Sequence, residues 1–438
     1  MKRVAMIAFC CWVCFSASSQ NRPNIVLIMA DDLGYGDIGC YGNTEIKTPN
    51  IDALAMSGIR FSDYHSNGAV CSPTRAALMT GRYQQRCGVE GVITAKSHRE
   101  VGMALSEITI AEVLKAAGYD TAIFGKWHLG YDVKRFGPQL QGFDTFEGFV
   151  SGNVDYFFKI DQEGYKDWWV GEKLSDDPNY LTKTIGDRAV KWIGEHKDKP
   201  FFLYLPHGAP HGPYQGPGDK GFREVGRIAR QPPINAKQKY REVIEALDQS
   251  VGEVVAALKE QGVYENTLII FTSDNGQVGP GSAGPLRGGK AQVYEGGHRV
   301  PMIMNWPGNI DAGTESGVLA IGMDFYPTFA KLAGAELPGG LTLDGDDLFD
   351  LMREGGDRPG RVLHWLHNES IGTREGYWKL VNHGKGKPQL FNLSEDLGEQ
   401  KDLADKRPEI VETLMAKQKA WLEETRRGVT PVSIHPQQ

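Results

Sequence analysis

Short apolar runs, each flanked by turn residues, recur along the chain and are separated by stretches with helical periodicity. Residues 24–29, 121–124, 201–205, 267–272 and 300–304 are dominated by Val, Ile, Leu, Phe, Met and Ala without polar alternation, the texture of strands buried on both faces. Helices with readable ends lie between them. Thr48-Pro49 opens one that stops at Gly58, Thr109 and Glu112 form a capping box for one ending at Gly118, and a longer one runs from about Asn235 to Gly262. This order predicts an α/β fold with a large, mainly parallel sheet sandwiched by helices.

The texture changes after Leu348. Shorter, more polar strands are predicted around His364-Trp365, 377–381 and 389–391, followed by a helix over 408–424. They predict a smaller C-terminal antiparallel sheet plus helix, joined to the main body through the Gly- and Asp-rich stretch 339–357. At the other end, Lys2 and Arg3 precede an apolar run over 4–15 and the small residues Ser16-Ala17-Ser18-Ser19. These are the three parts of a signal peptide, and the run is too short to span a bilayer. The expected organisation is a signal peptide at 1–19, a catalytic domain at 20–347 and a small α+β subdomain at 348–438, in an exported protein that is periplasmic or secreted. Other readings of the N-terminus are a lipoprotein anchor on one of its cysteines, or a hydrophobic element of the fold.

Loss of 1–19 removes Cys10, Cys11 and Cys14 and leaves Cys40, Cys71 and Cys87, too few for a disulfide framework. Whether Cys40 and Cys87 pair is open from sequence. The 438 residues carry 48 basic and 55 acidic side chains, a net charge of −7, which argues against nucleic acid as a partner. Any anion site must therefore be a local pocket. No later run is apolar enough for a transmembrane segment. The 54 glycines exceed the ordinary share of roughly 7% and imply many tight turns and close backbone approaches.

In doubly covered sheets ligands gather at the carboxyl ends of strands, and here those ends are chemically loaded. The first strand leads into Asp31-Asp32, the 121–124 strand into Lys126 and His128, the 201–205 strand into His207 and His211, and the 267–272 strand into Asp274-Asn275. Adjacent carboxylates repel unless a cation lies between them, and a set of hard oxygens favours Ca2+ or Mg2+ over zinc. A helix cap and a plain turn would use the same residues. Cys71-Ser72-Pro73-Thr74-Arg75 opens another apparent helix, whose N-terminal field stabilises a thiolate or a bound oxyanion. A small buried cysteine with a surface arginine fits the composition equally well.

Cys71-x-Pro73-x-Arg75, followed by Thr80-Gly81-Arg82, resembles the signature of the type I, formylglycine-dependent sulfatases of the alkaline phosphatase-like superfamily. Segments 23–42, 125–130, 209–213, 273–276 and 284–301 agree with that family in order, and 374–379 and 390–393 are similar to its small C-terminal domain. The resemblance covers essentially all of the chain beyond the signal segment. It implies that Cys71 is oxidised to Cα-formylglycine, whose hydrate supplies the nucleophile, and that a formylglycine-generating or anaerobic sulfatase-maturating enzyme is a partner. It further implies that Asp31, Asp32, Asp274 and Asn275 hold Ca2+ together with the modified Cys71. Arg75 would hold the hydrate and the metal ligands, and Lys126 and Lys290 would bind sulfate oxygens. His211, with Lys290, would protonate the departing alcohol, and His128 would take a proton from the hydrate to expel sulfate.

His207 and Arg287 lie near matched positions as second-rank candidates, and His298 reads as structural. Asn153, Tyr156, Trp168 and Trp169 offer amide and aromatic groups suited to a sugar ring, so the expected substrate is a sulfated carbohydrate; ordinary core aromatics would look the same. The other classes to separate are a phosphoryl or phosphonate monoester hydrolase of the same superfamily, which would ordinarily carry Ser or Thr in place of Cys71, and a non-catalytic carbohydrate-binding relative.

Overall fold

The computed structural model describes residues 22–228, 230–353 and 360–432; the predicted signal segment lies outside them. The strand Asn24–Asp31 runs through the middle of a ten-stranded sheet, parallel to Phe201–Pro210 on one side and Thr267–Ser273 on the other. Beyond Phe201–Pro210 come Asp120–Lys126 and Thr145–Phe149, also parallel. Past Thr267–Ser273, Met302–Asn305 is antiparallel to both its neighbours, Thr267–Ser273 and Ile59–Phe61. The edges are short: Thr314–Ser316 at one, Trp169–Val170 and Lys173–Leu174 at the other.

The unbroken apolar runs follow from burial on both faces. Ile25, Leu27 and Met29 enter one core with Phe202 and Ile270, while Val26, Ile28 and Ala30 enter the opposite core with Leu203 and Ile269. Each such large side chain gains about 1.5–3 kcal/mol of transfer free energy, which favours apolar residues on both faces. Helices Leu181–His196 and Ala236–Glu260 cover the second face through Ile185, Trp192, Val243 and Leu247. Helices Cys71–Thr80, Ile110–Ala116 and Phe325–Ala333 cover the first. The capping box at Thr109 and Glu112 is formed, with both hydrogen bonds made.

The C-terminal part is a four-stranded antiparallel sheet, Val362–His367, Ser370–Glu375, Trp378–Asn382 and Gln389–Asn392, with the helix Pro408–Thr425 against it. The short helix Leu348–Arg353 buries Leu348 and Leu351 in the main core. Val293, Ile321, Met323, Trp365, Val381, Phe391 and Trp421 form a further core that joins the small sheet to the large body. Cys40, Cys71 and Cys87 are all free thiols. No helix of the described residues is long and apolar enough to cross a membrane.

Because the four central strands are parallel, their carboxyl ends share one edge of the sheet. Asp31, Lys126, Pro210 and Ser273 are the last residues of those strands.

Candidate active site

Asp31 ends its strand just past an irregularity in the pairing with Phe201–Pro210, and Asp32 adopts a left-handed backbone, with φ of 67°. This turns the chain so that both carboxylates face the same point, at a strain a non-glycine residue accepts only when its surroundings dictate it. Asp274 and Asn275 follow the neighbouring strand, and the backbone N–H of Asp32 donates to Asp274 Oδ1 at 3.2 Å. Ligand-type atoms of Asp31, Asp32, Cys71 and Asp274 all lie within 4.8 Å of one another and all four residues are buried. Cys71 is the first residue of the helix Cys71–Thr80, whose N-terminus has no side-chain cap, so its first-turn N–H dipoles point toward this cluster.

Three cations answer the three carboxylates. Lys126 Nζ donates to Asp31 Oδ2 at 2.7 Å, and Lys290 Nζ lies 2.6 Å from Asp32 Oδ1 and 3.5 Å from Cys71 Sγ. Arg75 reaches Asp274 Oδ2 through Nε at 3.2 Å and through a terminal nitrogen at 2.7 Å, and its other terminal nitrogen donates to the Lys126 carbonyl at 2.9 Å. Burial drives the Asp31 carboxyl upward, but the Lys126 ammonium, with His211, Arg75 and Lys290 behind it, outweighs burial and holds it well below the usual carboxylate range. Asp274 goes the other way: burial and the Asp31 charge push it up to about 6. Burial, reinforced by Asp274, likewise pushes the Cys71 thiol up to about 12, so the unmodified sulfur is a protonated thiol and a poor nucleophile.

The donor set fits a hard divalent cation. Asp32 Oδ2 and Asn275 Oδ1 are buried oxygens without a hydrogen-bond partner, a situation native interiors avoid unless something else satisfies them. The side-chain N–H of Asn275 is spent on Asp32 Oδ1 at 2.7 Å, which leaves its oxygen directed elsewhere. Oxygen donors with no imidazole among them match Ca2+ or Mg2+.

Two imidazoles flank the cluster. His128 has φ of 60°, and its Nε2–H donates to the Ile93 carbonyl at 2.9 Å. That bond fixes the tautomer and leaves Nδ1, buried and unpartnered, as a free lone pair. Burial, with Lys126 and Arg75 nearby, keeps the ring neutral. His211 spends its Nδ1–H on the Gly212 carbonyl at 2.6 Å and turns Nε2 toward Asp32 Oδ2 at 3.5 Å. Its side chain is 21% exposed and that of Lys290 18%, whereas Lys126, Arg75 and His128 are enclosed. The mouth of the site is thus at His211 and Lys290.

The structure brings together every residue expected for catalysis or metal binding, and divides those expected to meet a sugar. Asn153 is half-buried beside Gly152, where a Cβ would come within 3.1 Å of the His128 ring. Trp169 is half-buried and donates to Asp167 at 2.7 Å. Tyr156 and Trp168 are only 1% exposed, so the expectation that they contact substrate is corrected. The Tyr156 hydroxyl donates to the Gly208 and His211 carbonyls at 2.9 and 3.0 Å, bracing the His211 loop from inside, and Trp168 is a core side chain reaching Glu147. His207 is enclosed with neither ring nitrogen bonded, and Arg287 is tied to the Glu399 carbonyl at 2.7 Å.

Sequence reading missed Asp167 and Arg223. Asp167 accepts from the backbone N–H groups of Val150 and Ser151 and so fixes the loop beside His128; Arg223 donates to Asn153 Oδ1 at 2.6 Å. Neither has a local sequence signal, since each acts on a segment distant in the chain.

The chain matches two family profiles: Sulfatase over residues 23–335, and N-sulphoglucosamine sulphohydrolase, C-terminal, over residues 289–427. It is similar to arylsulfatase A of Homo sapiens, 36% identical over 84% of this chain and 75% of that protein. It is also similar to N-acetylgalactosamine-6-sulfatase of Rattus norvegicus, 35% identical over 83% of this chain and 72% of that one. Among solved structures it resembles Ps i-CgsB in complex with k-i-k-neocarrahexaose, with a TM-score of 0.85, 32% identity and 94% of both chains covered.

Proposed function

The chain belongs to the sulfatase family and is a sulfuric ester hydrolase, and from that premise we propose that it desulfates a carbohydrate outside the cytoplasm, using Ca2+ and a formylglycine made from Cys71. The observation that carries the reading is the position of Cys71: its sulfur lies 3.5 Å from both Asp31 Oδ1 and Lys290 Nζ, at an uncapped helix N-terminus. A thiol held protonated there is a poor nucleophile but well placed for conversion to another group.

Asp31, Asp32, Asp274, Asn275 and residue 71 would hold the cation, which when bound supplies positive charge to a sulfate ester's oxygens. Formylglycine, as its hydrate, supplies the attacking oxygen at residue 71. The rest is done by this chain's own groups. Three carboxylates and three cationic side chains cancel inside the pocket, so a bound divalent ion leaves it positive and able to take an anion. Lys126 and Lys290, already beside residue 71, bind and orient the sulfate oxygens as charge shifts onto them. Arg75 is pinned between Asp274 and the Lys126 carbonyl and keeps the charged groups in register. His211 keeps its Nδ1–H on the Gly212 carbonyl, so at the mouth of the site it acts as an acid in its imidazolium form, held beside Asp32. Its Nε2–H passes to the leaving alcohol and leaves the neutral ring, and the free His128 Nδ1, on the enclosed side, accepts a proton from the hydroxyl at residue 71.

The carbohydrate assignment is supported by the likeness to a structure solved with a neocarrahexaose and to an N-acetylgalactosamine-6-sulfatase, and by half-buried Asn153 following Gly152, the residue that lies against the His128 ring. Export is supported by the N-terminal signal pattern. A maturating enzyme as partner is supported by the resemblance of Cys71-x-Pro73-x-Arg75 to the sulfatase signature. To test the reading, the purified protein is assayed for sulfate release from 4-nitrophenyl sulfate and a panel of sulfated oligosaccharides, with phosphate esters in parallel, and the peptide containing residue 71 is weighed. Sulfate release that Cys71→Ala abolishes, with a peptide mass showing the thiol replaced by an aldehyde, is the expected result. Full activity with unmodified Cys71, or a preference for phosphate esters, contradicts it.

A further inference from the structure

A second cluster of metal-type ligands lies away from the active site: His65, Glu295 and His298, all buried, with ligand atoms within 4.8 Å of one another. It is occupied by protein groups. Lys379, from the strand Trp378–Asn382 of the small sheet, is wholly enclosed and places Nζ 2.9 Å from Glu295 Oε1 and 2.8 Å from His298 Nε2. Arg299 adds a contact to Glu295 Oε2 at 3.2 Å. An ammonium therefore sits where a metal would have to bind.

The shorter hydrogen bonds around it share one direction, whereas two longer contacts, His298 Nε2 with the Val293 carbonyl at 3.3 Å and Arg374 with His65 Nε2 at 3.2 Å, do not belong to it. Lys379 donates to His298 Nε2, so His298 carries its proton on Nδ1 and donates it to His65 Nδ1 at 2.9 Å. His65 then holds its proton on Nε2 and donates to Asp63 Oδ1 at 2.9 Å. Asp63 is clamped by both terminal nitrogens of Arg374 at 2.6 Å. The His298 ring stacks on Trp365, with centroids 3.9 Å apart and planes 9° apart. Burial keeps both histidines neutral, His65 down to about 4 and His298 well below its usual range, as this chain of donors requires.

What the network holds is the segment that carries Lys290. Within it the Ala291 N–H donates to the Ala69 carbonyl, two residues before Cys71, and the Lys290 N–H to the Gln277 carbonyl, two residues after Asn275. The short helix Glu295–His298 abuts the Asp274-Asn275 turn: the Gly276 N–H donates to the Gly297 carbonyl at 2.9 Å, and a Cβ on Gly276 would lie 1.9 Å from the Gly296 oxygen. Glu295 and His298, the two residues Lys379 grips, are the ends of that helix.

We infer that Lys379 is a positioning residue for the active site: through Glu295 and His298 the small C-terminal sheet sets the place of Lys290 and backs the Asp274-Asn275 turn. The inference rests on the reading of Lys290 as an amine that meets the sulfate group. It gives the C-terminal sheet a part in the reaction although the described contacts of that sheet do not reach Cys71.

The test is a double-mutant cycle with an activity-independent arm. K379M keeps the length of the side chain and removes its charge. In the active enzyme it lowers kcat for 4-nitrophenyl sulfate about 10- to 100-fold, with KM changed less, because a small displacement of a charge-stabilising group costs that much. K379R restores part of the loss. In a K290A background K379M has little further effect, because both changes act through one group. Hydrogen exchange of the Gly276, Lys290 and Ala291 amides quickens in folded K379M while the central strands stay protected. Should K379M not fold, K379Q, neutral but still a donor, is read in the same way. Unchanged kcat in K379M, losses that multiply with K290A, or unaltered exchange at Lys290 and Ala291 each overturn the inference. A wild-type enzyme that releases no sulfate refutes the functional reading instead, and the exchange arm then decides the structural claim alone.

Discussion

His207 shows how a single residue can carry a pH dependence without touching the chemistry. It lies in the last stretch of its strand, 1% exposed, with both ring nitrogens unbonded. Burial lowers its pKa from 6.5 to about 3. The folded imidazole thus binds fewer protons than the unfolded one between those values, so this residue's contribution to stability is complete above 6.5 and is lost as the pH falls toward 3. At 1.36 kcal/mol per unit, about 3 kcal/mol is lost by about pH 4. His207→Gln should flatten the stability-versus-pH curve in that window, as read by urea denaturation at several pH values. An equally steep decline in the variant would assign the acid sensitivity elsewhere. The same scale shows where the sequence ran out. Asp31, Asp32, Cys71 and Asn275 could be singled out because each follows a strand or opens a helix, whereas Tyr156 and Trp168 look identical in sequence whether they face a sugar or the core, and only burial separates them. His298 reads as structural in sequence, but its partner Lys379 lies 81 residues away, a separation no local pattern conveys.

Among the elements, the long central strands were legible because both faces are buried and the apolar run is therefore unbroken. Ile59–Phe61 and Thr314–Ser316 were not, since three residues, at the edge of the sheet or next to it, carry no period. The helix Leu181–His196 also escaped notice: its N-cap position, Tyr180, makes no side-chain cap, so it lacks the start signal that marked Thr109. Where two backbones interlock, the demand for glycine becomes testable. Gly276 and Gly296 meet in the seam between the Asp274-Asn275 turn and the helix Glu295–His298, with no room for a Cβ. Gly276→Ala must displace backbone on one side, at a cost of about 1–3 kcal/mol, and should lower kcat along with Tm. Gly194, within Leu181–His196, is the control, because the nearest atom to its added Cβ would be 3.9 Å away. Gly194→Ala should stabilise by about 0.5–1 kcal/mol through helix propensity alone and leave kcat unchanged. If thermal denaturation gave the two variants the same sign, the argument from close backbone approach would fail.

Across the whole molecule, the candidate metal site ties together segments that are distant in sequence, from Asp31 to Asp274, at the ends of two paired strands. Without a divalent ion the three carboxylates are already compensated by Lys126, Lys290 and Arg75, so the fold does not depend on the ion as a small metal-nucleated domain does. The ion should add stability on top of an intact fold, because it binds the assembled site and finds no such site in the unfolded chain. At a free Ca2+ concentration 100 times its dissociation constant the gain is about 2.7 kcal/mol, and it grows with concentration. Chelation should therefore lower Tm without abolishing the folded baseline, remove sulfate release, and be reversed by added Ca2+. Asp274→Asn keeps the shape of the side chain but removes a charge that Arg75 and the ion both use, and it should make Tm insensitive to Ca2+. Calorimetry on both proteins, with and without chelator, measures this directly. A wild-type Tm and activity that ignore chelation would mean that the buried oxygens of Asp32 and Asn275 are satisfied by something other than a divalent cation.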